Sequence, residues 1–165
     1  MYGGSRGDAR LVTIAKELAK HDISALCIDY SSYTGGTGEV KDTLFALAYM
    51  EKKMSSLGLF GYSYGAVVAS NVATKFHDVK GLALLSPLSK INGLEIDLSS
   101  DCPKLIIYGS YDPLVAKDID ELCYLAKGEK QRLPLDTDHF YVGYEKTVAE
   151  AVRKFFYKVF QIKKS

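Results

Sequence analysis

Apolar residues recur along this chain with two alternating periods. Leu11, Ile14, Ala15 and Leu18 stand at the i, i+3, i+4, i+7 spacing with charged side chains between them, which predicts an amphipathic helix over residues 9–20. Residues 23–30 follow as a short, nearly continuous apolar run, the pattern of a parallel strand covered on both faces. A polar loop holding Gly35, Gly36 and Gly38 then gives way to helical spacing again over residues 39–54, through Val40, Leu44, Leu47 and Ala48. The unit repeats as strand 57–60, helix 64–76, strand 79–85, strand 104–108, helix 114–126, strand 130–135 and a last helix over 145–162. Short strands alternating with longer helices predict an α/β fold: a mostly parallel sheet flanked by helices on both faces, a three-layer sandwich. No fixed-period repeat, low-complexity tract or linker divides residues 1–165, which read as one domain.

Composition narrows the function. The 165 residues carry 21 basic and 20 acidic side chains. Nine basic and eight acidic residues occur up to Leu82 and twelve of each follow it, so neither half builds a field for nucleic acid or anionic lipid. Cys27, Cys102 and Cys123 are odd in number and far apart, with no C-x-x-C pair for a metal or for redox chemistry, and read as reduced thiols. The first eight residues are polar and glycine-rich, unlike a signal peptide, and no apolar run reaches the ~18 residues of a membrane span. A cytoplasmic location is the expectation.

The most informative residues are Gly61-Tyr62-Ser63-Tyr64-Gly65, a G-x-S-x-G set where an apolar strand meets a helix rich in small residues. A serine on so sharp a turn is held in strained backbone geometry, and both glycines are expected to be small because the turn brings backbone segments together. The hydroxyl then projects above the sheet. The N–H of Tyr64, at a helix amino terminus, points at the same place and can donate to a developing oxyanion.

A serine hydroxyl is a poor nucleophile at neutral pH, so this chemistry needs a base and a group that orients the base. Of the three histidines, His21 at a helix end and His77 in a helix-to-strand turn read as exposed polar residues. His139 follows the last predicted strand, at the carboxyl edge where sites in open α/β sheets assemble, although an Asp-His pair in a polar loop is an equal reading from position alone. Asp112 lies just past one strand and just before a helix, between Ser63 and His139 in chain order. An ordinary Asp-Pro turn is its alternative. Asp29, Asp136 and Asp138 are rival acids, each in the wrong segment or too near the histidine.

The order Ser63, Asp112, His139, with G-x-S-x-G at an elbow, Gly109-Ser110-Tyr111-Asp112-Pro113-Leu114-Val115 after the next-to-last strand and Asp138-His139-Phe140 after the last, resembles the α/β-hydrolase superfamily. Small, lid-poor members akin to dienelactone hydrolases and carboxylesterases look closest, and the likeness runs over nearly the whole chain. The resemblance implies Ser63 as nucleophile, His139 as base and then acid, and Asp112 as the carboxylate that fixes the imidazole. It also implies an oxyanion hole from the backbone N–H of Tyr64 and of Tyr2 or Gly3, with no metal or organic cofactor. Serine stands where dienelactone hydrolases usually carry cysteine, which favours hydrolysis of small carboxylic esters or thioesters over the dienelactone reaction. Tyr62, Tyr111 and Phe140 are candidate substrate contacts at an aromatic mouth, and a connection of only 86–103 where many relatives insert a lid implies an open site. Arg6 and Arg10 could recognise a substrate carboxylate, but read better as solvated charges.

One departure stands out. The superfamily places a strand between those matching 23–30 and 57–60, and here it is missing, which would leave the two about 9.6 Å apart, twice the ladder spacing of about 4.8 Å. The expected explanation is a start upstream of Met1; direct pairing of the flanking strands, or a strand lent by another chain in a homodimer, are the alternatives. The same gap motivates a second functional reading, a catalytically weak or inactive scaffold used for binding or assembly. A flavodoxin-like nucleotide binder is disfavoured, because Gly35-Gly36-Thr37-Gly38 is not G-x-G-x-x-G and no Walker lysine follows a glycine loop.

Overall fold

A computed structural model describes residues 5–162. Helix α1 (Ala9–Ala19) is started by Asp8, whose carboxylate accepts from the Arg10 N–H at 2.9 Å, and it buries Ile14 and Leu18. Helix α2 (Thr37–Glu51) leads to strand β1 (Leu57–Tyr62), helix α3 (Tyr64–Ala73) and strand β2 (Val79–Leu85). A hairpin of two-residue strands, β3 (Lys90–Ile91) and β4 (Leu94–Glu95), precedes strand β5 (Lys104–Gly109), helix α4 (Ile119–Leu125), strand β6 (Lys130–Leu135) and helix α5 (Glu145–Val159).

The four long strands form one parallel sheet in the order β1-β2-β5-β6. Side chains alternate faces along each strand, and β2 shows what that does here. Leu82 and Leu84 join the core under α2 and α3, with Leu57, Leu59, Ala66 and Val72. Ala83 and Leu85 join the opposite core under α1 and α5, with Ile14, Leu18, Leu105, Ile107, Val152 and Phe156. With both faces covered, the central strands β2 and β5 are mostly apolar, whereas β6 at one edge exposes Lys130, Gln131 and Arg132, and the three-layer α/β sandwich expected from the sequence is the architecture found.

Besides the hairpin, which the sequence reading lacks, two segments differ from it. Residues 23–30 form no strand: beyond the Ile23 N–H, which donates to Leu18 O at 3.1 Å, their backbone makes no backbone hydrogen bond among the described residues, and Ser24, Ala25 and Leu26 are exposed. The physical reason is the absence of a neighbour at ladder distance. Neither this segment nor the free side of β1 has a described strand beside it, and the direct pairing of the two is not formed. Helix α4 is also shorter than the spacing over 114–126 implies, because Pro113 to Asp118 is spent on turns beginning with the Val115 and Ala116 N–H groups donating to Asp112 O.

Candidate active site

The carboxyl ends of the parallel strands deliver one polar side chain each. Ser63 directly follows β1, Ser86 directly follows β2, the loop after β5 carries Asp112 and the loop after β6 carries His139. The ladder continues past the strand ends to hold these loops: Ser63 N–H donates to Leu85 O, Ser86 N–H to Ile107 O and Ser110 N–H to Leu135 O, each at 2.8 Å.

Ser63 sits at φ 51° and ψ −115°, the strained turn anticipated for the elbow. Gly61 makes it possible: a Cβ there would lie 2.2 Å from the Gly65 carbonyl oxygen and 2.6 Å from Ala66 Cα. Gly65 is not itself crowded, since a Cβ on it would meet only the Tyr30 hydroxyl at 4.0 Å, so the expectation that both glycines are sterically required holds for the first alone. Tyr64 opens α3, and as its first residue its N–H has no intrahelical acceptor.

Asp112 is fully buried, and its carboxylate is saturated with donors. Oδ1 accepts from the Leu114 N–H at 3.0 Å, and Oδ2 accepts from Ser86 Oγ at 2.8 Å and from His139 Nδ1 at 2.6 Å. A carboxylate only accepts, so Nδ1 carries the proton and Nε2 presents its lone pair to Ser63 Oγ, 3.0 Å away. His139 is thus within hydrogen-bond reach of both Ser63 and Asp112, the residues singled out with it in the sequence. Rivals Asp29 and Asp138 are engaged elsewhere, Asp29 with Arg6 and Asp138 with the Phe140 N–H.

Four residues have environments or roles that the sequence did not assign them. Buried Ser86 spends its proton on Asp112, so the buried Tyr141 hydroxyl, 2.7 Å away, donates to Ser86 Oγ. Burial pushes the Tyr141 phenol up, so it stays a donor. Ser86 could have been flagged only by its place at a strand's carboxyl end. Arg10 is not a solvated charge: it is paired with Asp8 and donates to the Tyr62 hydroxyl and the Phe140 carbonyl oxygen. Glu39 is fully buried near the entrance of α2, accepting from the N–H and hydroxyl of Thr34 and from the Gly36 N–H.

Among the aromatic candidates, Tyr111 and Phe140 are exposed, whereas the Tyr62 hydroxyl is committed to Arg10 and to the His139 carbonyl. Burial drives the Tyr62 phenol up to about 12 despite the opposing guanidinium of Arg10. Tyr2 and Gly3, expected to offer the second oxyanion donor, lie outside the described residues. The connection between β2 and β5 holds only the small hairpin, as its length implied. Among the described residues no helix is long and apolar enough to cross a membrane.

Comparisons with known proteins bear on the family and the fold. A profile of the Dienelactone hydrolase family matches residues 14–134. MhqD of Bacillus subtilis (strain 168) is 38% identical over 65 residues, which cover 39% of this chain and 32% of that protein. Among solved structures, a dienelactone hydrolase from Anabaena variabilis superposes with a TM-score of 0.79 at 18% identity, covering 94% of this chain and 82% of the other. An alpha-beta serine hydrolase homologue from Coxiella burnetii gives 0.79 at 22% identity, covering 93% and 78%. Est1E from Butyrivibrio proteoclasticus with ferulic acid bound gives 0.77 at 16% identity, covering 97% and 86%. These likenesses identify the fold as that of the α/β hydrolases.

Proposed function

The chain belongs to the dienelactone hydrolase family, and on that premise we propose that it hydrolyses small carboxylic esters or thioesters through an acyl-enzyme on Ser63. One observation carries the reading: the unbroken run from Ser63 Oγ to His139 Nε2 at 3.0 Å and from His139 Nδ1 to the buried Asp112 at 2.6 Å.

His139 takes the Ser63 proton as the oxygen adds to the substrate carbonyl, and Asp112 stabilises the imidazolium that forms. The developing oxyanion accepts from the Tyr64 N–H at the start of α3, with the second donor assigned to Tyr2 or Gly3. The tetrahedral intermediate then expels the alcohol or thiol, which leaves with the proton from His139. A water molecule gives its proton to the same nitrogen and adds to the acyl-serine, and collapse returns the proton to Ser63 Oγ and frees the acid. Exposed Tyr111 and Phe140 are assigned to contact the apolar part of the substrate.

The test is labelling by a fluorophosphonate, followed by mass mapping of the adduct, alongside hydrolysis of p-nitrophenyl butyrate. The adduct is expected on Ser63, with labelling and turnover both lost in Ser63→Ala and His139→Ala. Folded wild-type protein that neither labels nor turns over would overturn the proposal.

A further inference from the structure

We infer that Arg10 is a second positioning residue for His139, beside Asp112, acting through Tyr62 and the backbone of the imidazole-bearing loop; the inference rests on the triad assignment above. Arg10 is the second residue of α1, remote in sequence from every member of the triad, and its side chain is 17% exposed. Asp8 fixes one edge of the guanidinium, accepting from Nε at 2.8 Å and from Nη2. The pair is bidentate, so the remaining nitrogen is aimed rather than free to search.

That nitrogen, Nη1, donates to the Tyr62 hydroxyl at 2.8 Å and to the Phe140 carbonyl oxygen at 3.1 Å. The Tyr62 hydroxyl, having accepted from Arg10, donates onward to the His139 carbonyl oxygen at 3.0 Å. The carbonyls of both residue 139 and residue 140 are therefore held by one side-chain pair. The guanidinium carbon also lies 4.2 Å from the Tyr62 ring centroid, and that ring is 5.3 Å from the His139 ring. Tyr62 immediately precedes Ser63 on β1, so the clamp joins the nucleophile's strand to the base's loop without passing through the reacting atoms. With four of its five N–H donors spent on the protein, Arg10 keeps only one Nη2 hydrogen, so it presents no open fork to a substrate carboxylate.

The test compares wild type with Arg10→Met, Arg10→Lys, Tyr62→Phe and the Arg10→Met/Tyr62→Phe double variant on p-nitrophenyl butyrate. Loosening the base by a fraction of an ångström to an ångström is expected to lower kcat about 10- to 100-fold in Arg10→Met with KM within about twofold. Lysine, which restores one charged donor, recovers part of the loss, and the double variant is no slower than Arg10→Met because both changes break one clamp. A folded Arg10→Met protein with wild-type kcat, or one changed in KM alone, overturns the inference. Should Arg10→Met fail to fold, Tyr62→Phe, which removes a single hydroxyl, decides by the same kcat criterion. The second readout is the proton NMR signal of His139 Nδ1–H, expected far downfield in wild type and broadened by exchange in Arg10→Met and Tyr62→Phe. An unchanged signal in both overturns the inference, and this holds even if no ester is turned over, in which case the hydrolase proposal fails separately.

Discussion

Ser63, Ser86 and Tyr141 have φ of 51°, 46° and 57°, although none is glycine, and all three meet around Asp112 and His139. Such conformations cost about 1–3 kcal/mol each and persist only where the surroundings over-determine them. Here the surroundings are the carbonyl ends of neighbouring strands and the buried chain of hydroxyls leading to Asp112. Removing the Ser86 hydroxyl leaves that carboxylate short of one donor and Tyr141 without its acceptor, so Ser86→Ala is expected to destabilise the fold by about 1–3 kcal/mol in urea unfolding. The elbow glycines separate cleanly. Gly61→Ala drives a methyl into the Gly65 carbonyl and is expected to cost at least about 3 kcal/mol, while Gly65→Ala, with open space at its Cβ, stays within about 1 kcal/mol of wild type. Equal melting curves for the two variants would contradict this steric distinction.

At the scale of elements, the start of α2 depends on one acid. Gly36 precedes the helix at φ 113° and has no side chain to cap it; Thr34 Oγ1 accepts from the Gly38 N–H in its place, and Glu39 holds that arrangement by accepting from the Gly36 N–H and from Thr34. Burial alone would raise its carboxyl, but the bonds from the hydroxyl and N–H of Thr34, with its own backbone N–H, outweigh burial and hold it at about 2, below the ordinary 4.5. The folded state therefore releases this proton more readily than the unfolded state. The associated stabilisation, roughly 3 kcal/mol, is complete above about pH 5 and disappears as pH falls toward 2. Glu39→Gln is expected to lower stability at pH 7 and to flatten its decline between pH 5 and 2, measured by denaturant melts across that range.

Elements whose period is set by burial were legible in the sequence: β2 and β5 stand where the apolar runs put them, and α1 and α5 where their stripes put them. The run over 23–30 was misleading because apolar content reports a tendency to be covered, not the presence of a partner strand. The hairpin went unread despite its signal, Asn92-Gly93, whose φ values of 53° and 88° are those of a tight hairpin turn. Ser63, Asp112 and His139 were legible because chain order and strand ends constrain them. Arg10 was not, because its bonds to Tyr62 and Phe140 cross 52 and 130 residues of sequence and no local pattern announces them.

Over the whole molecule, the polar residues of the site hang from four adjacent strands in the order β1-β2-β5-β6, and the Arg10 clamp ties in a fifth segment from the start of α1. Gly109 lets the last two come together, since a Cβ there would lie 2.4 Å from the Thr137 carbonyl oxygen, on the stretch leading to His139. During synthesis the hydroxyl of Ser63 emerges 76 residues ahead of its base. On the proposed mechanism the serine is an ordinary alcohol until β6 docks against β5, so reactivity would arise only with the finished sheet, and a half-folded chain could not attack its neighbours.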